Sequence, residues 1–271
     1  MIVEWNTHIF SPDTAKYPLH EKAAYRPDLS QHPQDPLAAY LEHMRTEAID
    51  RAVIVHPEPY GDDHRLVLDC LAREPEIFRG TSLFYPHDLD APKKLEDLVA
   101  QEPKIIATRF HAHRGKEMYL DSFAEKGVRA LWEKAVELGL IIELHIGPDY
   151  AEQVGQVLRD IPETVALIDH LAEPQWGSAV EFAHILELGS NRDEFKEVYM
   201  KLSGLSHFAS DAPFYESARP FTKRVVEAFG AERLVWGSGS PDIVDIHMQD
   251  FSAVARDKVK GGNLAKLLNF E

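Results

Sequence analysis

Short apolar runs alternate with longer amphipathic stretches along almost the whole chain. Eight of these runs are rich in Val, Ile, Leu or aromatic residues, and each is followed by Pro, Gly, Asp or His. Short apolar runs that end in such residues predict buried β-strands. The predicted strands are Ile2–His8, Arg51–His56, Gly80–Phe84, Ile105–Phe110, Ile141–His145, Val165–Asp169, Tyr199–Ser203 and Arg233–Gly237.

Between the strands, apolar residues recur at the three- and four-residue spacing of an amphipathic helix. The first such stretch includes Leu37 and Met44, and it follows Asp35 and Pro36, which are residue types typical of a helix start. Similar stretches separate the later strands, and the stretch from Phe251 to Leu268 predicts closing helices. The chain therefore alternates predicted strands and helices.

This alternation predicts the fold class. Strands that are each followed by a helix indicate an α/β protein with a parallel sheet and crossover helices. Eight such units within 271 residues match the size of a closed (β/α)8 TIM barrel. An open, doubly wound sheet is the alternative, because periodicity does not show closure. We predict a single domain over residues 1–271, in which the polar, proline-rich residues 11–35 form a lid-like loop after the first strand.

Composition and charge restrict the partners. The chain has 29 basic and 45 acidic residues and a formal net charge of −16, which argues against nucleic acid and anionic membranes as partners. Its single cysteine, Cys70, cannot form an internal disulfide, and no apolar run approaches the roughly 20 residues that span a bilayer. We expect a cytoplasmic protein with a small-molecule partner, and the sequence leaves a homo-oligomer open.

Imidazole and charged side chains gather at the predicted strand ends. In TIM barrels the carboxyl ends of the strands meet at one mouth, where the catalytic residues lie. The candidate residues at or just after the strand ends are His8, His56, Arg109, His111, His113, Arg114, His145, His170, Lys201, His207 and Asp242. One histidine at a strand end is commonly structural. Histidines from several strands of one barrel converge, so we predict that His8, His145 and His170 share a catalytic site.

Several short motifs occur in a fixed order along the chain. They are Asn6-Thr-His8-Ile-Phe10-Ser-Pro12, Arg109-Phe110, Leu144-His145, Ile168-Asp169-His170-Leu171-Ala-Glu-Pro174, Lys201-Leu-Ser-Gly204, Arg233-Leu-Val-Trp-Gly-Ser238 and Gly261-Gly-Asn263-Leu-Ala-Lys-Leu-Leu268. In this order the motifs resemble the amidohydrolase superfamily, in the branch of 2-pyrone-4,6-dicarboxylate lactonase and fuconolactonase-like proteins. The resemblance covers nearly the whole chain and implies a TIM barrel that hydrolyses a lactone.

Three positions depart from the pattern of that superfamily. Asn6 stands where the first strand normally begins His-x-His, and Gly239 stands where the eighth strand normally carries an aspartate. Arg109 stands where binuclear members hold a bridging lysine or glutamate. The histidines that remain of the metal pattern, and that would bind an ion if one were present, are His8, His145 and His170.

We expect that no metal cofactor is required. A guanidinium in the same small mouth repels a divalent cation and does not lose its proton. The resemblance to the lactonase branch also implies catalysis without a metal. A zinc or manganese ion on the three histidines stays open as the alternative.

The cationic residues favour an anionic substrate. Arg109 and Arg114 lie five residues apart at the end of the fourth strand, and arginine binds carboxylates through two parallel hydrogen bonds. The resemblance implies that these arginines hold substrate carboxylates, whereas pairing with Glu117 is the structural alternative for Arg114. Five further residues are predicted to bind substrate, namely His56, His111, His113, Lys201 and His207.

The reaction needs a base, and the resemblance does not supply one. In a lactone hydrolase, arginines and an imidazole polarise the ring carbonyl while a base activates the attacking water. Because Gly239 replaces the family's aspartate, Asp242 is the nearest candidate base, with the three catalytic histidines as alternatives. Asp242 is equally a candidate helix N-cap.

Two other functions compete with lactone hydrolysis. A lactone isomerase or a decarboxylase of the same superfamily is one alternative, because an isomerase has less need of a water-activating aspartate. A catalytically inactive barrel that binds a small anion is the other.

Overall fold

Eight parallel strands lie side by side in the order in which they occur along the chain. The computed structural model describes residues 1–114 and 119–270. The strands are β1 (Val3–Thr7), β2 (Arg51–Ile54), β3 (Phe78–Leu83), β4 (Ile105–His111), β5 (Ile141–His145), β6 (Ala166–Ile168), β7 (Val198–Leu202) and β8 (Leu234–Trp236). All eight predicted strands are confirmed, with ends that differ from the predicted ends by at most two residues.

Helices follow the strands and cover the outside of the sheet. Within the described residues they are α1 (Pro36–Thr46), α2 (Arg65–Arg73), α3 (Ala91–Gln101), α4 (Lys126–Glu137), α5 (Ala151–Asp160), α6 (Ala179–Ser190), α7 (Arg219–Phe229), α8 (Asp242–His247), α9 (Ala253–Asp257) and α10 (Asn263–Leu267). The predicted start of α1 is confirmed, because Asp35 accepts a hydrogen bond from the amide of Ala38 and Pro36 opens the helix. None of the helices in the described residues is both long and apolar enough to cross a membrane.

The sheet closes where β8 returns to β1. The amide of Ser238 donates to Glu4 Oε1 at 3.1 Å, and the Asn6 side chain donates to Ser238 Oγ at 2.6 Å. A Cβ atom on Gly237 would lie 2.1 Å from the carbonyl oxygen of Trp5, so only glycine permits this close approach. The fold is therefore the predicted (β/α)8 TIM barrel rather than an open, doubly wound sheet.

The interior of the barrel has an apolar layer at the amino ends of the strands and polar layers above it. Side chains alternate between the two faces of a strand, so Ala107, Arg109 and His111 on β4 share one face. Ala107 packs in a buried cluster with Val53 and other apolar residues of the interior. Phe110 points the other way and packs 5.5 Å from the ring of Trp132 on α4. This alternation carries the charged and imidazole side chains into the mouth of the barrel.

The segment of residues 11–35 connects β1 to α1 and contacts the loop after β2. Its backbone amides at Ser11, His20 and Ala24 donate to that loop. The acceptors are Tyr60 Oη at 2.9 Å, the Pro59 carbonyl at 2.7 Å and Glu58 Oε1 at 2.9 Å. These contacts hold the segment beside the mouth, and its role as a lid stays a prediction.

Candidate active site

A cavity of about 270 Å³ lies at the carboxyl ends of the strands. Its lining residues are Asn6, His8, Tyr25, Glu58, Arg109, His111, Arg114, His145, His170, Gly204, Ser206, His207 and Ser238. The structure thus brings together seven of the predicted site residues, namely His8, Arg109, His111, Arg114, His145, His170 and His207. Four others, His56, His113, Lys201 and Asp242, are not among the lining residues.

A network of four buried charges forms the floor of the cavity. Arg109 donates from Nε to Asp169 Oδ2 at 2.8 Å, and its Nη2 donates to the same oxygen. Lys201 Nζ lies 2.6 Å from Asp169 Oδ1 and 2.6 Å from Glu143 Oε1. The two cations and two carboxylates balance each other. Lys201, which the sequence predicted to bind substrate, is thus fully buried beneath the cavity.

The charges in this network shift the pKa values of its carboxyl groups in opposite directions. Burial alone would raise the pKa of Asp169, but Arg109 and Lys201 hold it well below its usual range. Burial raises the pKa of Glu143, and the neighbouring Asp169 carboxylate raises it further. Asp169 is therefore the charged partner that allows Arg109 to remain in the barrel interior.

The second arginine of the cavity lies under the segment of residues 11–35. The guanidinium carbon of Arg114 is 5.1 Å from the centre of the Tyr25 ring, a distance typical of a cation–π contact. Glu117, the alternative partner of Arg114, lies outside the described residues. Arg109 and Arg114 both line the cavity, so one small space receives two guanidinium groups.

A chain of hydrogen bonds joins three buried side chains along one wall. The Nδ1 atoms of His111 and His145 are 2.9 Å apart, and His145 Nε2 is 3.0 Å from Glu173 Oε1. His207 Nδ1 contacts Glu173 Oε2 at 2.8 Å, and the Gln175 side chain donates to the same oxygen at 2.7 Å. Burial alone would raise the pKa of Glu173, but the bonds from His145 and His207 hold it well below its usual range.

Two more imidazoles face the same cavity, each fixed by one neutral partner. His8 Nδ1 donates to the carbonyl oxygen of Val55 at 2.9 Å, and His170 Nδ1 lies 2.8 Å from Ser203 Oγ. Burial, together with the positive charge of Arg109, lowers the pKa of His8 to about 3. Burial also lowers the pKa of His145 to about 4 and holds that of His170 well below the ordinary histidine value. These imidazoles are therefore uncharged at neutral pH.

A strained turn positions His170 and Glu173. The four consecutive residues from His170 to Glu173 have φ angles of 50°, 55°, 59° and 42°, a left-handed turn without glycine. Each such residue costs about 1–2 kcal/mol, and strain of this kind concentrates at functional sites. Gly204 makes room for the turn, because a Cβ atom there would lie 2.6 Å from His170 Cβ.

Asp242 does not reach this cavity. It is exposed and is the first residue of α8, with its backbone amide 3.3 Å from Ser240 Oγ. The N-cap position belongs to Pro241, so the alternative prediction for Asp242 is displaced by one residue. The loop after β8 instead contributes Ser238 to the cavity.

His56 and His113 support loops near the mouth. His56 is buried, its Nε2 bonds the carbonyl oxygen of Gly61 at 2.8 Å, and its ring lies 4.4 Å from that of His64. His113 Nε2 lies 3.2 Å from Asp149 Oδ1, and its ring packs 4.4 Å from Trp176. In both histidines, a group of the protein itself bonds the ring Nε2 atom.

The predicted site residues omit Tyr25 and Glu58, which line the cavity, and Glu173, which bonds His145. Tyr25 and Glu58 belong to long loops, whose positions the strand-end pattern does not predict. Glu58 accepts a hydrogen bond from Tyr119 Oη at 2.6 Å, which anchors the loop after β2. Glu173 stands three residues after His170 inside a quoted motif. Its short distance in sequence from His170 could therefore have indicated a place in the site.

One group of side chains in the described residues is close enough together to hold a metal ion. His145, His170 and Glu173 each have a ligand atom within 4.8 Å of the others. Two histidines and a glutamate form the ligand set of some catalytic zinc sites. His8, the third predicted ligand, is outside this group.

The comparisons with known sequences place the chain in a family. Residues 5–270 match the model of the family described as Amidohydrolase. A 4-sulfomuconolactone hydrolase of Rhizobium radiobacter is 28% identical over 242 residues, which cover 88% of this chain and 75% of the relative. An L-fucono-1,5-lactonase of Burkholderia ambifaria is 27% identical over 221 residues, 81% of this chain and 72% of the relative.

Solved structures share the fold at low sequence identity. A probable 2-pyrone-4,6-dicarboxylic acid hydrolase from Acinetobacter baumannii, with citric acid bound, has a TM-score of 0.77 and 20% identity over 99% of both chains. An amidohydrolase from Burkholderia multivorans with bound zinc has a TM-score of 0.69 and 17% identity over 98% of both chains. A 2,6-dihydroxybenzoate decarboxylase complexed with 2,6-dihydroxybenzoate has a TM-score of 0.67 and 15% identity over 99% of both chains.

Proposed function

The chain belongs to the amidohydrolase family, and we propose that it opens the lactone ring of a small carboxylated or sugar-acid substrate without a metal ion. The observation that carries this proposal is the joint presence of Arg109, Arg114 and uncharged imidazoles around one small cavity. The two relatives named for lactone hydrolysis support the reaction class.

The two guanidinium groups favour an anionic substrate. Arg109 uses Nε and Nη2 to bind Asp169, which leaves the hydrogens of Nη1 for a ligand. Arg114 has the Tyr25 ring against one face, so its N–H groups remain available around the edge. A carboxylate in the cavity would therefore receive charge-assisted hydrogen bonds. The cavity volume of about 270 Å³ limits the substrate to a small molecule.

The cavity residues supply the groups that lactone hydrolysis requires. A guanidinium hydrogen polarises the ring carbonyl and stabilises the negative charge that develops on its oxygen. Water attacks the carbonyl carbon, the ring C–O bond breaks, and the departing oxygen takes a proton to give a hydroxy acid. A neutral imidazole accepts the proton of the water. Because Asp242 is exposed, we place this base among the cavity imidazoles, of which His8, His145 and His170 were predicted as catalytic.

The hydrogen bonds around Glu173 disfavour a metal ion. Its two carboxylate oxygens already accept from His145, His207 and Gln175, and both ring nitrogens of His145 are in use. A metal on this group would have to replace those bonds next to the Arg109 guanidinium, whose charge repels a cation. Asn6 and Gly239 also lack the donor types that the family's metal pattern normally supplies. The donor set therefore does not fit a resident metal, and no step is assigned to one.

Metal content and lactone turnover, measured on the same purified protein, test this proposal. We expect proton release from carboxylated or sugar-acid lactones, no stoichiometric zinc or manganese, and full activity in chelator. For a carboxylated lactone, the matching lactone without the carboxylate serves as the control for the arginines, and should react more slowly. One bound zinc or manganese ion per chain, whose removal abolishes turnover, would contradict metal independence.

The same assay separates the competing functions. Lactone hydrolysis releases a proton at neutral pH, isomerisation of a lactone releases none, and decarboxylation releases carbon dioxide. If dicarboxylates raise the melting temperature but no lactone or aromatic acid reacts, the protein is an anion-binding barrel and the proposal is wrong.

A further inference from the structure

We propose that His111 is the general base of this reaction, and that His145 and Glu173 hold its Nε2 atom as a hydrogen-bond acceptor toward the cavity. The inference rests on the proposed lactone hydrolysis. It assigns a proton acceptor in place of the superfamily's aspartate, whose position is occupied by Gly239 in this chain.

The hydrogen of the His145 ring lies on Nε2, which faces Glu173. An ionised carboxylate can only accept hydrogen bonds, so the groups around Glu173 are donors. His145 Nε2 lies 3.0 Å from Glu173 Oε1 and therefore carries a hydrogen. His145 is 2% exposed and lines the same cavity as the two guanidinium groups, surroundings that favour the neutral ring with one hydrogen. Its Nδ1 atom must then be an acceptor.

The acceptor role of His145 Nδ1 fixes which nitrogen of His111 carries the hydrogen. Its Nδ1 atom is 2.9 Å from His145 Nδ1, and one hydrogen lies between two such nitrogens. Because His145 Nδ1 accepts, His111 Nδ1 donates. His111 is also 2% exposed and lines the cavity beside Arg109 and Arg114, surroundings that favour a neutral ring with one hydrogen. The Nε2 atom of His111 therefore carries a lone pair and no hydrogen.

The lone pair on His111 Nε2 is buried and unpartnered within the described residues. His111 lines the cavity with 2% of its surface exposed, and its Nε2 has no hydrogen-bond partner among the described residues. A buried polar atom without a partner is uncommon, and a catalytic role is one of the explanations for it. The side chains that face the ring are His145, Tyr119, Arg109 and Arg114, with Asp169 behind Arg109.

A carboxylate behind the ring, reached through His145, distinguishes His111 from His8 and His170. His8 Nε2 likewise makes no hydrogen bond within the described part of the chain, but its Nδ1 donates to the Val55 carbonyl, and His170 contacts the Ser203 hydroxyl. Those partners are uncharged. The arginines oppose a positive charge on His111, and the negative charge of Glu173, conveyed through His145, offsets that repulsion when the proton arrives.

The proton balance of the step is simple. The water oxygen forms a bond to the carbonyl carbon while one of its O–H bonds breaks, and that proton goes to His111 Nε2. The carbonyl electron pair moves to its oxygen. When the ring C–O bond breaks, the departing oxygen takes the proton from Nε2, which restores the neutral imidazole.

Kinetics of His111→Ala and Glu173→Gln on the same lactone provide the test. We expect His111→Ala to lower kcat about 10²- to 10⁴-fold with a smaller change in KM. Added imidazole should restore part of the rate, because it fits the space left by the ring. Hydroxylamine, which attacks without prior loss of a proton, should react with the variant and the wild type at similar rates.

Glu173→Gln tests whether Glu173 fixes the hydrogen positions on His145 and His111. The amide can donate to His145 Nε2, which would move the hydrogen of His145 to Nδ1 and that of His111 to Nε2. We expect a loss of kcat that imidazole does not restore. In the wild type, the ¹⁵N shifts of His111 should show a protonated Nδ1 and an unprotonated Nε2, a result that requires no variant.

The control and the contrary outcomes are separable. His247 is buried outside the cavity, where it contacts Thr222 Oγ1 at 2.9 Å and the Phe214 carbonyl at 2.7 Å, so His247→Ala should lower stability and keep kcat. Three results, obtained with an active wild type, would overturn this inference alone. They are an unchanged kcat in His111→Ala, a loss of the hydroxylamine reaction in that variant equal to its loss of hydrolysis, and a His111 ring protonated at Nε2 instead of Nδ1. Loss of activity in Asp242→Asn, with His111→Ala unaffected, assigns the base to Asp242. A wild type that opens no lactone overturns the proposed function as well.

Discussion

Arg109 and Asp169 face each other inside the barrel, with Arg109 Nε 2.8 Å from Asp169 Oδ2 and Nη2 bonded to the same oxygen. One residue lies on β4 and the other directly after β6, and β5 separates these two strands in the sheet. Their contact joins the stability of the fold to the proposed chemistry of the site, because the same guanidinium lines the cavity and its Nη1 does not bond Asp169. A substitution of Arg109 should therefore affect both.

Arg109→Met should lower both activity and stability. The methionine leaves Asp169 with Lys201 as its remaining cation, and breaking a buried ion pair costs about 3–5 kcal/mol. Urea denaturation measures this loss, and Arg109→Lys should recover most of the stability but little of kcat/KM, since lysine lacks the planar fork. Arg129→Met is the matched control, because its pair with Asp160 is on the surface and is worth less than about 1 kcal/mol. Full turnover by Arg109→Met would remove Arg109 from the mechanism.

Lys201→Met should reduce stability without a selective effect on substrate affinity. Lys201 is fully buried between Glu143 and Asp169, so its removal leaves Glu143 without a cation, whereas Asp169 keeps Arg109, at a cost of about 3–5 kcal/mol. The double variant Lys201→Met/Glu143→Gln should recover part of this loss in a thermodynamic cycle. A normal melting temperature with a raised KM would instead support the prediction that Lys201 binds substrate.

Arg114→Met should weaken the binding of anionic substrates. A hydrogen bond to a charged group contributes about 1.5–3 kcal/mol, which corresponds to about a 10- to 100-fold increase in KM. The variant should keep its melting temperature, because Arg114 is half-buried and contacts the exposed Tyr25. Neutral lactones should show no change in KM. An equal change for neutral and anionic lactones would indicate that Arg114 shapes the cavity rather than binding a carboxylate.

The activity should be independent of pH above the ordinary histidine range. The proposed base must be unprotonated, and burial together with Arg109 holds the pKa of His111 well below 6.5. Because the base form already predominates at neutral pH, kcat/KM should be constant there and fall only at acid pH. A pH profile with a substrate that does not titrate in this range measures it. A rise of kcat/KM through pH 7 would contradict the depressed pKa.

Acid should destabilise the fold over the range between the lowered and the ordinary histidine pKa values. His145 has a pKa of about 4 in the folded protein and His56 also about 4, against 6.5 for an unperturbed imidazole. Below pH 6.5 the unfolded chain binds protons that the folded chain does not, so the free energy of unfolding decreases as the pH falls. Glu143, whose pKa is raised, acts in the opposite direction. Denaturation at several pH values measures the slope, and constant stability from pH 7 to pH 4 would contradict these shifts.

The strand-end pattern predicted most of the cavity lining but not how its members pair. The end of a strand is a local feature, so the pattern placed Arg109 and His111 at or just after the end of β4 and His145 at the end of β5. The predictions for Lys201 and Asp242 did not lead into the cavity. Lys201 stands one layer too deep on β7, and Asp242 stands beyond the point where the loop after β8 turns into α8.

The sequence by itself determined the alternation of eight strands with helices, the helix start at Asp35 and the set of strands whose ends carry imidazoles and arginines, whereas closure into a barrel was decided by the contacts between β8 and β1. These features depend on periodicity and on residue types within a few positions, which fix local backbone preferences. Tertiary structure alone decided that Arg109 pairs with Asp169, 60 residues away, and that Glu173 supports His145, 28 residues away. The physical reason is that such pairs depend on barrel register and on the left-handed turn after β6, which no local pattern specifies.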